Sequence, residues 1–240
     1  MNEQNWQNRT ELLAGKENLQ KLAGSHILIV GLGGVGGYAA EQLCRAGTGS
    51  LTLVDNDIVQ LSNINRQIIA FKETEGKRKT EALQERLKQI NPEINLTLIT
   101  EFIDNSNLDV LGGEYDYVID AIDTLTPKVA LLEWCIKQKL NVVSAMGAGG
   151  KLDPTKIEIT DISKSHHCKL AYNVRKYLHR KGIFKGITTV FSPEEIPDHA
   201  IIETNGEGNK RSIVGSISYM PAVFGCYCAS VVIRHLISDR

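Results

Sequence analysis

Gly31, Gly33 and Gly36, with Gly34 among them, stand in the run H-I-L-I-V-G-L-G-G-V-G-G-Y-A-A and form G-x-G-x-x-G. Glycine at these places permits a tight turn and lets the backbone approach a phosphate. The free N–H groups and dipole of the helix that follows favour an anion. A second apolar stretch, residues 51–54, ends at Asp55, where a carboxylate can accept hydrogen bonds from a ribose hydroxyl. On these residues alone the chemistry is that of a nucleotide pocket, with NAD the default occupant. The continuation suits a triphosphate better. Arg66 lies in S-N-I-N-R-Q, residues 62–67, and Lys79 opens a helix in G-K-R-K, beside Lys77 and Arg78. Cations at such places neutralise phosphates, and a dinucleotide enzyme needs no arginine there. Further on, D-A-I-D places Asp120 and Asp123 just after the apolar run 117–119. A carboxylate beyond the end of a parallel strand points into the ligand crevice, and magnesium takes one or two carboxylates plus phosphate oxygens.

Glycine turn, Asp55-Asn56-Asp57, Asn63 and Arg66, in that order, resemble the ubiquitin-activating enzyme superfamily, whose members use ATP to adenylate a carboxylate. The resemblance implies ATP and Mg2+ as cofactors. It implies a nucleotide site of Gly31, Gly33, Gly34, Gly36, Asp55, Asp57, Asn63, Arg66, Gln67, Lys79 and Asp123, with Lys79 on the phosphates near the transferred group. Asp123 is the metal-facing carboxylate of the D-x-x-D pattern, against a plain helix-capping role near Thr126. Arg9 resembles the arginine that superfamily dimers donate from an N-terminal arm into the partner's ATP site; Trp6 stands where many relatives carry a second basic residue. Arg66, Lys79, Asp123 and Arg9 are thus the expected catalytic set, in a homodimer.

R-T-E-L-L-A-G, G-A-G-G-K-L-D-P-T and G-S-I-S-Y-M-P-A-V-F-G are similar to the tRNA threonylcarbamoyladenosine dehydratase branch of that superfamily. That branch implies ATP-driven cyclisation of N6-threonylcarbamoyladenosine in tRNA, through a carboxyl-adenylate and with loss of water. Two alternatives stand beside it. One is an adenylyltransferase acting on the C-terminal glycine of a ubiquitin-like sulfur carrier. The other is a nucleotide-binding module without turnover. Sulfur-carrier enzymes usually carry paired C-x-x-C zinc ligands, and Cys44, Cys135, Cys168, Cys226 and Cys228 form none. Cys168 is the one candidate nucleophile in the expected region, weighed against a surface thiol.

The elements that must position these groups follow from periodicity. Strands are expected at 26–30, 51–54, 96–100, 117–120 and 141–144. Helices are expected at 34–46, 76–90 and 127–138, giving a Rossmann-like, doubly wound, mostly parallel α/β sheet. After 150 come a strand at 156–160, a helix at 169–181 and a strand at 186–191, the antiparallel extension of the superfamily type. A polar loop at 198–211 follows. The chain reads as one adenylation domain, 1–240: a helical arm (1–25), an ATP half (26–150) and a substrate and dimer half (151–240). The Gly147–Gly150 turn is expected to shape the floor of the substrate site.

With 27 Lys+Arg against 28 Asp+Glu, the net charge is −1, so any nucleic-acid site must be a local patch. Residues 164–185 supply one. They hold Lys169, Arg175, Lys176, Arg180 and Lys181, interleaved with Tyr172, Tyr177 and His179, and no acid. This is the expected tRNA contact, against the reading of a solvated helix face. An odd cysteine count without a secretory leader fits the cytoplasm. Residues 213–233 carry no charge, which leaves peripheral membrane association open. They are expected to fold as a buried strand, a turn and a buried helix starting near Pro221. A sulfurtransferase-type partner protein also stays open.

Overall fold

The computed structural model describes residues 5–203 and 212–238. Two short helices, α1 (Asn8–Ala14) and α2 (Lys16–Ala23), make the N-terminal arm, broken at Gly15 by its positive φ of 87°. Then come β1 (His26–Val30), α3 (Gly36–Ala46), β2 (Ser50–Val54), α4 (Lys79–Ile90), β3 (Asn95–Ile99), β4 (Tyr117–Asp120), α5 (Leu125–Lys137) and β5 (Val142–Ala145). The second half adds β6 (Glu158–Asp161), α6 (Lys169–Arg180), β7 (Thr188–Phe191), β8 (Ile201–Glu203), β9 (Ser212–Val214) and α7 (Tyr219–Ile237).

Seven strands form one sheet in the order β3-β2-β1-β4-β5-β7-β6. Every pairing is parallel except that of β6 with β7. H-I-L-I-V and S-L-T-L-V are near-continuous apolar runs because helices cover both faces of a parallel sheet. One face packs against α3, α4 and α7 through Leu43, Leu83, Phe224 and Val232; the other packs against α5 and α6 through Leu131, Leu132, Ala171 and Val174. Strand order reverses between β1 and β4, and ligands of such sheets bind at the carboxyl ends of the strands flanking that point.

Several expected boundaries move, each for a local reason. The helix expected from Gly76 begins at Lys79, because Gly76 has a left-handed φ of 82° and Arg78 is extended, bridged to Ile58. The strand expected at 156–160 begins at Glu158, since the Asp153 side chain accepts from the Thr155 N–H and turns residues Pro154–Lys156 into a 3-10 helix. A single antiparallel strand, β6, extends the main sheet. The polar loop expected at 198–211 is a 3-10 turn and β8, paired antiparallel with β9 in a separate ribbon; residues 204–211 lie outside the described part. The strand expected to be buried, β9, leaves Ile213 exposed. The apolar run after it is a core helix: Met220, Phe224, Cys228, Ala229 and Val232 of α7 are buried. A Cβ on Gly225 would come within 2.4 Å of the Val35 carbonyl oxygen of the α3 N-cap. Packing on the sheet accounts for the composition of α7, and the structure adds nothing in favour of membrane contact.

Candidate active site

The glycine turn joins β1 to α3 and is built by close approach. Gly31 has φ 90°, and a Cβ there would lie 2.8 Å from the Ala121 carbonyl oxygen. A Cβ on Gly36 would meet the Gly31 carbonyl oxygen at 1.8 Å. The turn therefore leans directly on the segment following β4. Gly34 fits under Pro221 of α7 and beside the Arg66 backbone, each closer than 3.3 Å to an added Cβ (2.9 and 3.2 Å).

Asp55 ends β2 and ties the turn down. Its Oδ2 accepts from the Leu32 N–H at 2.7 Å and its Oδ1 from the Asp57 N–H at 2.8 Å. Burial pushes the Asp55 carboxyl up from the usual carboxylate range, against the opposing pull of Lys79 and the two N–H donors. The Lys79 ammonium, itself buried, lies 2.7 Å from Asp57 Oδ2 and 4.0 Å from Asp55 Oδ1. Lys79 is the first residue of α4, so its cation is fixed at a helix start next to the turn.

The S-N-I-N-R-Q segment starts within a 3-10 helix, Leu61–Asn63, and continues as a tight turn to Arg66. Asn63 is buried and its Oδ1 accepts from the Gln60 N–H, while its carbonyl accepts from Arg66 and Gln67. Asn63 thus shapes the turn that presents Arg66. The Arg66 guanidinium donates to the Ser62 carbonyl at 3.0 Å and to Asn65 Oδ1 at 2.7 Å. Gln67 is buried, with Nε2 3.8 Å from a Cβ placed on Gly33, and its Oε1 has no hydrogen-bond partner. An orphaned acceptor beside a glycine cradle fits a nucleotide, whose hydroxyl or amino group would donate to it.

Asp123 is exposed just beyond β4. Thr124, not Asp123, occupies the N-cap of α5. No three metal-ligating side chains converge among the described residues. An ion here would take most of its ligands from phosphate and water, as magnesium does. Beneath Asp123 lies a feature the sequence reading missed. Asp120 and Lys128 form a wholly buried ion pair at 2.7 Å, and Ser144 donates to Asp120 at 2.6 Å. A lone lysine inside the apolar run of α5 was the available signal.

The second half reaches the crevice through residues 214–219. The Gly150 N–H donates to the Gly215 carbonyl at 2.7 Å, the Tyr219 hydroxyl to the Leu152 carbonyl at 2.7 Å, and Asn65 Nδ2 to the Ser216 carbonyl at 3.1 Å. This segment links the Arg66 turn to the Gly147–Gly150 turn. Buried Lys151 donates to the Glu194 carbonyl, and the Glu194 carboxylate accepts from Leu152 and Asp153, both at 2.9 Å. Burial lowers the Lys151 ammonium from the usual lysine range.

Arg9 is exposed on α1 and stays apart from this cluster. The neighbouring Gln7 donates to the Arg45 carbonyl, at the end of α3 away from the glycine turn, and α3 spans roughly 16 Å. Cys168 is buried, not a surface thiol. On α6, Lys169, Lys176 and Arg180 are exposed, with Arg180 over the Tyr177 ring at 5.1 Å. The other two basic residues expected to face tRNA are engaged elsewhere. Arg175 turns inward, donating to the Ser165 carbonyl at 2.6 Å and to the Ser165 hydroxyl. Lys181 pairs with Glu133 at 2.5 Å.

Residues 7–240 match the model of the ThiF family. The tRNA threonylcarbamoyladenosine dehydratase of Escherichia coli is 37% identical, over 97% of this chain and 95% of that protein. The protein of the same name from Haemophilus influenzae is 39% identical, over 93% and 90%. The crystal structure of the E. coli dehydratase in complex with ATP superposes with a TM-score of 0.85, covering 95% of this chain and 92% of that one. The molybdopterin-synthase adenylyltransferase of E. coli aligns with 57% of this chain.

Proposed function

The chain belongs to the ThiF family, and from that premise we propose that it is an ATP-dependent tRNA threonylcarbamoyladenosine dehydratase. The likeness to dehydratases of that name extends over nearly the whole length of both proteins. The observation that carries the reading is the company kept by the glycine turn. Arg66 packs on Gly34, Lys79 reaches the carboxylate that anchors Leu32, and the Asp123 segment supports Gly31. Two cations and a carboxylate around one turn suit a triphosphate, not a nicotinamide.

In the reaction, the threonyl carboxylate of N6-threonylcarbamoyladenosine attacks the α-phosphorus of ATP. Pyrophosphate leaves and a mixed acyl-phosphate anhydride forms. The carbamoyl oxygen then closes on the activated carbonyl, a nitrogen-bound proton is lost and AMP departs with the former carboxylate oxygen. The net change in the nucleoside is loss of water. No protein nucleophile is required, in keeping with a buried Cys168. Lys79 and Arg66 hold and neutralise phosphate oxygens, and Asp55 and Gln67 fix the nucleoside end. Asp123 would hold Mg2+, which supplies charge stabilisation to the departing pyrophosphate. The chain works as one adenylation domain, since strands from both halves share one sheet.

Exposed Lys169, Lys176 and Arg180 form the tRNA contact, and Arg175 braces the loop before α6. Trp6, Leu12 and Leu13 expose apolar surface on the arm, which supports docking on a second copy and delivery of Arg9 in trans. The test is incubation with ATP, magnesium and total tRNA, followed by digestion. A nucleoside lighter by one water is expected. Pyrophosphate exchange driven by a small ubiquitin-like protein, and not by modified tRNA, would replace this reading with the sulfur-carrier one. ATP consumption limited to one equivalent would replace it with a binding module.

A further inference from the structure

A buried ion pair is weak grounds for stability, because desolvating two charges cancels most of their attraction. The Asp120–Lys128 pair, with both side chains fully buried, therefore calls for another role. Its hydrogen bonds name one. Lys128 Nζ, besides meeting Asp120 Oδ2, donates to the Ile122 carbonyl at 2.8 Å. Asp120 Oδ1 accepts from the Ile122 N–H at 3.1 Å. The two charges thus grip Ile122 by its N–H and its C=O, one residue before Asp123. The same stretch supports the nucleotide cradle, since the Ala121 carbonyl and the Ile122 nitrogen lie 2.8 and 3.2 Å from a Cβ placed on Gly31. Ser144 ties Asp120 to the neighbouring strand β5. Cys228 of α7 lies in the field of both charges, and burial pushes its thiol up to about 12, so it stays neutral there.

We infer that Lys128 is a positioning residue for the ATP–magnesium site: its ion pair with Asp120 locks the Ala121–Ile122 peptides and so sets where Asp123 stands relative to the glycine turn. The inference rests on reading Asp123 as the metal-facing carboxylate. A carboxylate presented by a segment free to rotate about Ile122 would lose the fixed distance to the phosphates that metal-assisted transfer requires. Partners of metal ligands are worth about 10- to 100-fold in metal affinity or activity.

The test compares four variants of the full chain. Lys128→Met leaves Asp120 buried without a counter-charge and tests the pair in its harshest form. Lys128→Met combined with Asp120→Asn removes both charges together, so that no buried charge is left unpaired. Lys128→Arg keeps the charge, and Asp123→Asn removes the carboxylate itself. Two readouts are taken: ATP binding by calorimetry with and without magnesium, and pyrophosphate exchange resolved into kcat and KM. For the double variant we expect ATP binding without magnesium within about threefold of the parent. Its half-saturating magnesium should rise about tenfold and its kcat fall about 10- to 100-fold. Lys128→Arg should recover part of that loss. A folded double variant with unchanged magnesium dependence overturns the inference. So does failure of both Met-containing variants to fold, which would make the pair a stability element. If Asp123→Asn keeps its magnesium dependence, the reading of Asp123 falls and this inference with it; if only Asp123→Asn loses it, the positioning role alone falls.

Discussion

Asp57 holds Lys79 twice: its carbonyl accepts the Lys79 N–H at 3.0 Å and its carboxylate meets the ammonium at 2.7 Å. The first bond sets the start of α4; the second occupies the cation that, in the proposed function, a phosphate would take over. Lys79→Met should lower kcat/KM for pyrophosphate exchange by about 10²–10³, the scale of losing one fixed charge at a transition state. Asp57→Asn, which only frees the ammonium, should change it less than tenfold. Lys79→Met also strips the counter-charge from buried Asp55, whose carboxyl already sits above its usual range. A carboxyl raised in the folded state costs stability above its folded pKa and nothing once protonated. The melting temperature deficit of Lys79→Met should therefore be largest at neutral pH and shrink as the pH is lowered. A deficit that grows on acidification would contradict the placement of Lys79 beside Asp55.

The exposed charges of α6 make a separate prediction. Lys169, Lys176 and Arg180 changed together to Glu should weaken tRNA binding. The slope of log Kd against log salt should fall by about three, one for each lost phosphate contact. Arg175→Glu should behave differently. Its guanidinium is spent on the Ser165 carbonyl and hydroxyl, so the variant should lose about 1.5–3 kcal/mol of stability. Filter binding across a salt series and thermal melts separate the two effects. An unchanged salt slope in the triple variant removes α6 from the tRNA interface.

Glu41 gives a pH prediction for the scaffold. It is buried on α3 and takes Arg45 at 2.9 Å and Arg86 of α4 at 2.5 Å. Burial alone would push its carboxyl up, but the two arginines outweigh it and hold the group below the usual glutamate range. Its folded pKa is thus depressed. The stability it contributes is full above the ordinary glutamate pKa and is lost as the pH falls through the folded value. Glu41→Gln should melt lower than the parent at pH 7, and the gap should close on acidification. A gap constant with pH would show that the arginines contribute no charge-dependent stability.

The sequence was legible where local geometry dictates residue type. Gly31 and Gly36 are required by contacts shorter than 3 Å, and the run H-I-L-I-V by burial on both faces. Both could be read in one pass, as could the sheet built on them. The exact start of α4 was not legible, because it depends on a bridge between Ile58 and Arg78 that no local pattern encodes. Charges were legible only in kind. Five basic residues near α6 look equivalent in sequence, yet Ser165 and Glu133, each at a distance along the chain, engage Arg175 and Lys181: the first turns inward, and the second stays exposed but paired with a carboxylate. Lys128 is illegible for the converse reason: its partner Asp120 reads as half of a metal motif until the fold buries it against α5.

The arm supplies the last prediction. Gln7 fastens α1 to the end of α3 remote from the glycine turn, so Arg9 can serve a nucleotide site only in another copy of the chain. Arg9→Ala and Lys79→Met would then each inactivate, by different routes. In a mixed dimer of the two variants, the site on the Arg9→Ala subunit keeps its own Lys79 and receives Arg9 from the partner. That site is intact; the other has neither. If subunits exchange freely, an equimolar mixture forms mixed dimers in half of its population. It should recover about a quarter of parental exchange activity from two nearly inactive proteins, as expected for an isologous pair with crossed contributions. Pyrophosphate exchange before and after mixing, with light scattering to confirm the dimer, measures it. Recovery near zero with dimers present would confine Arg9 to the surface of its own arm.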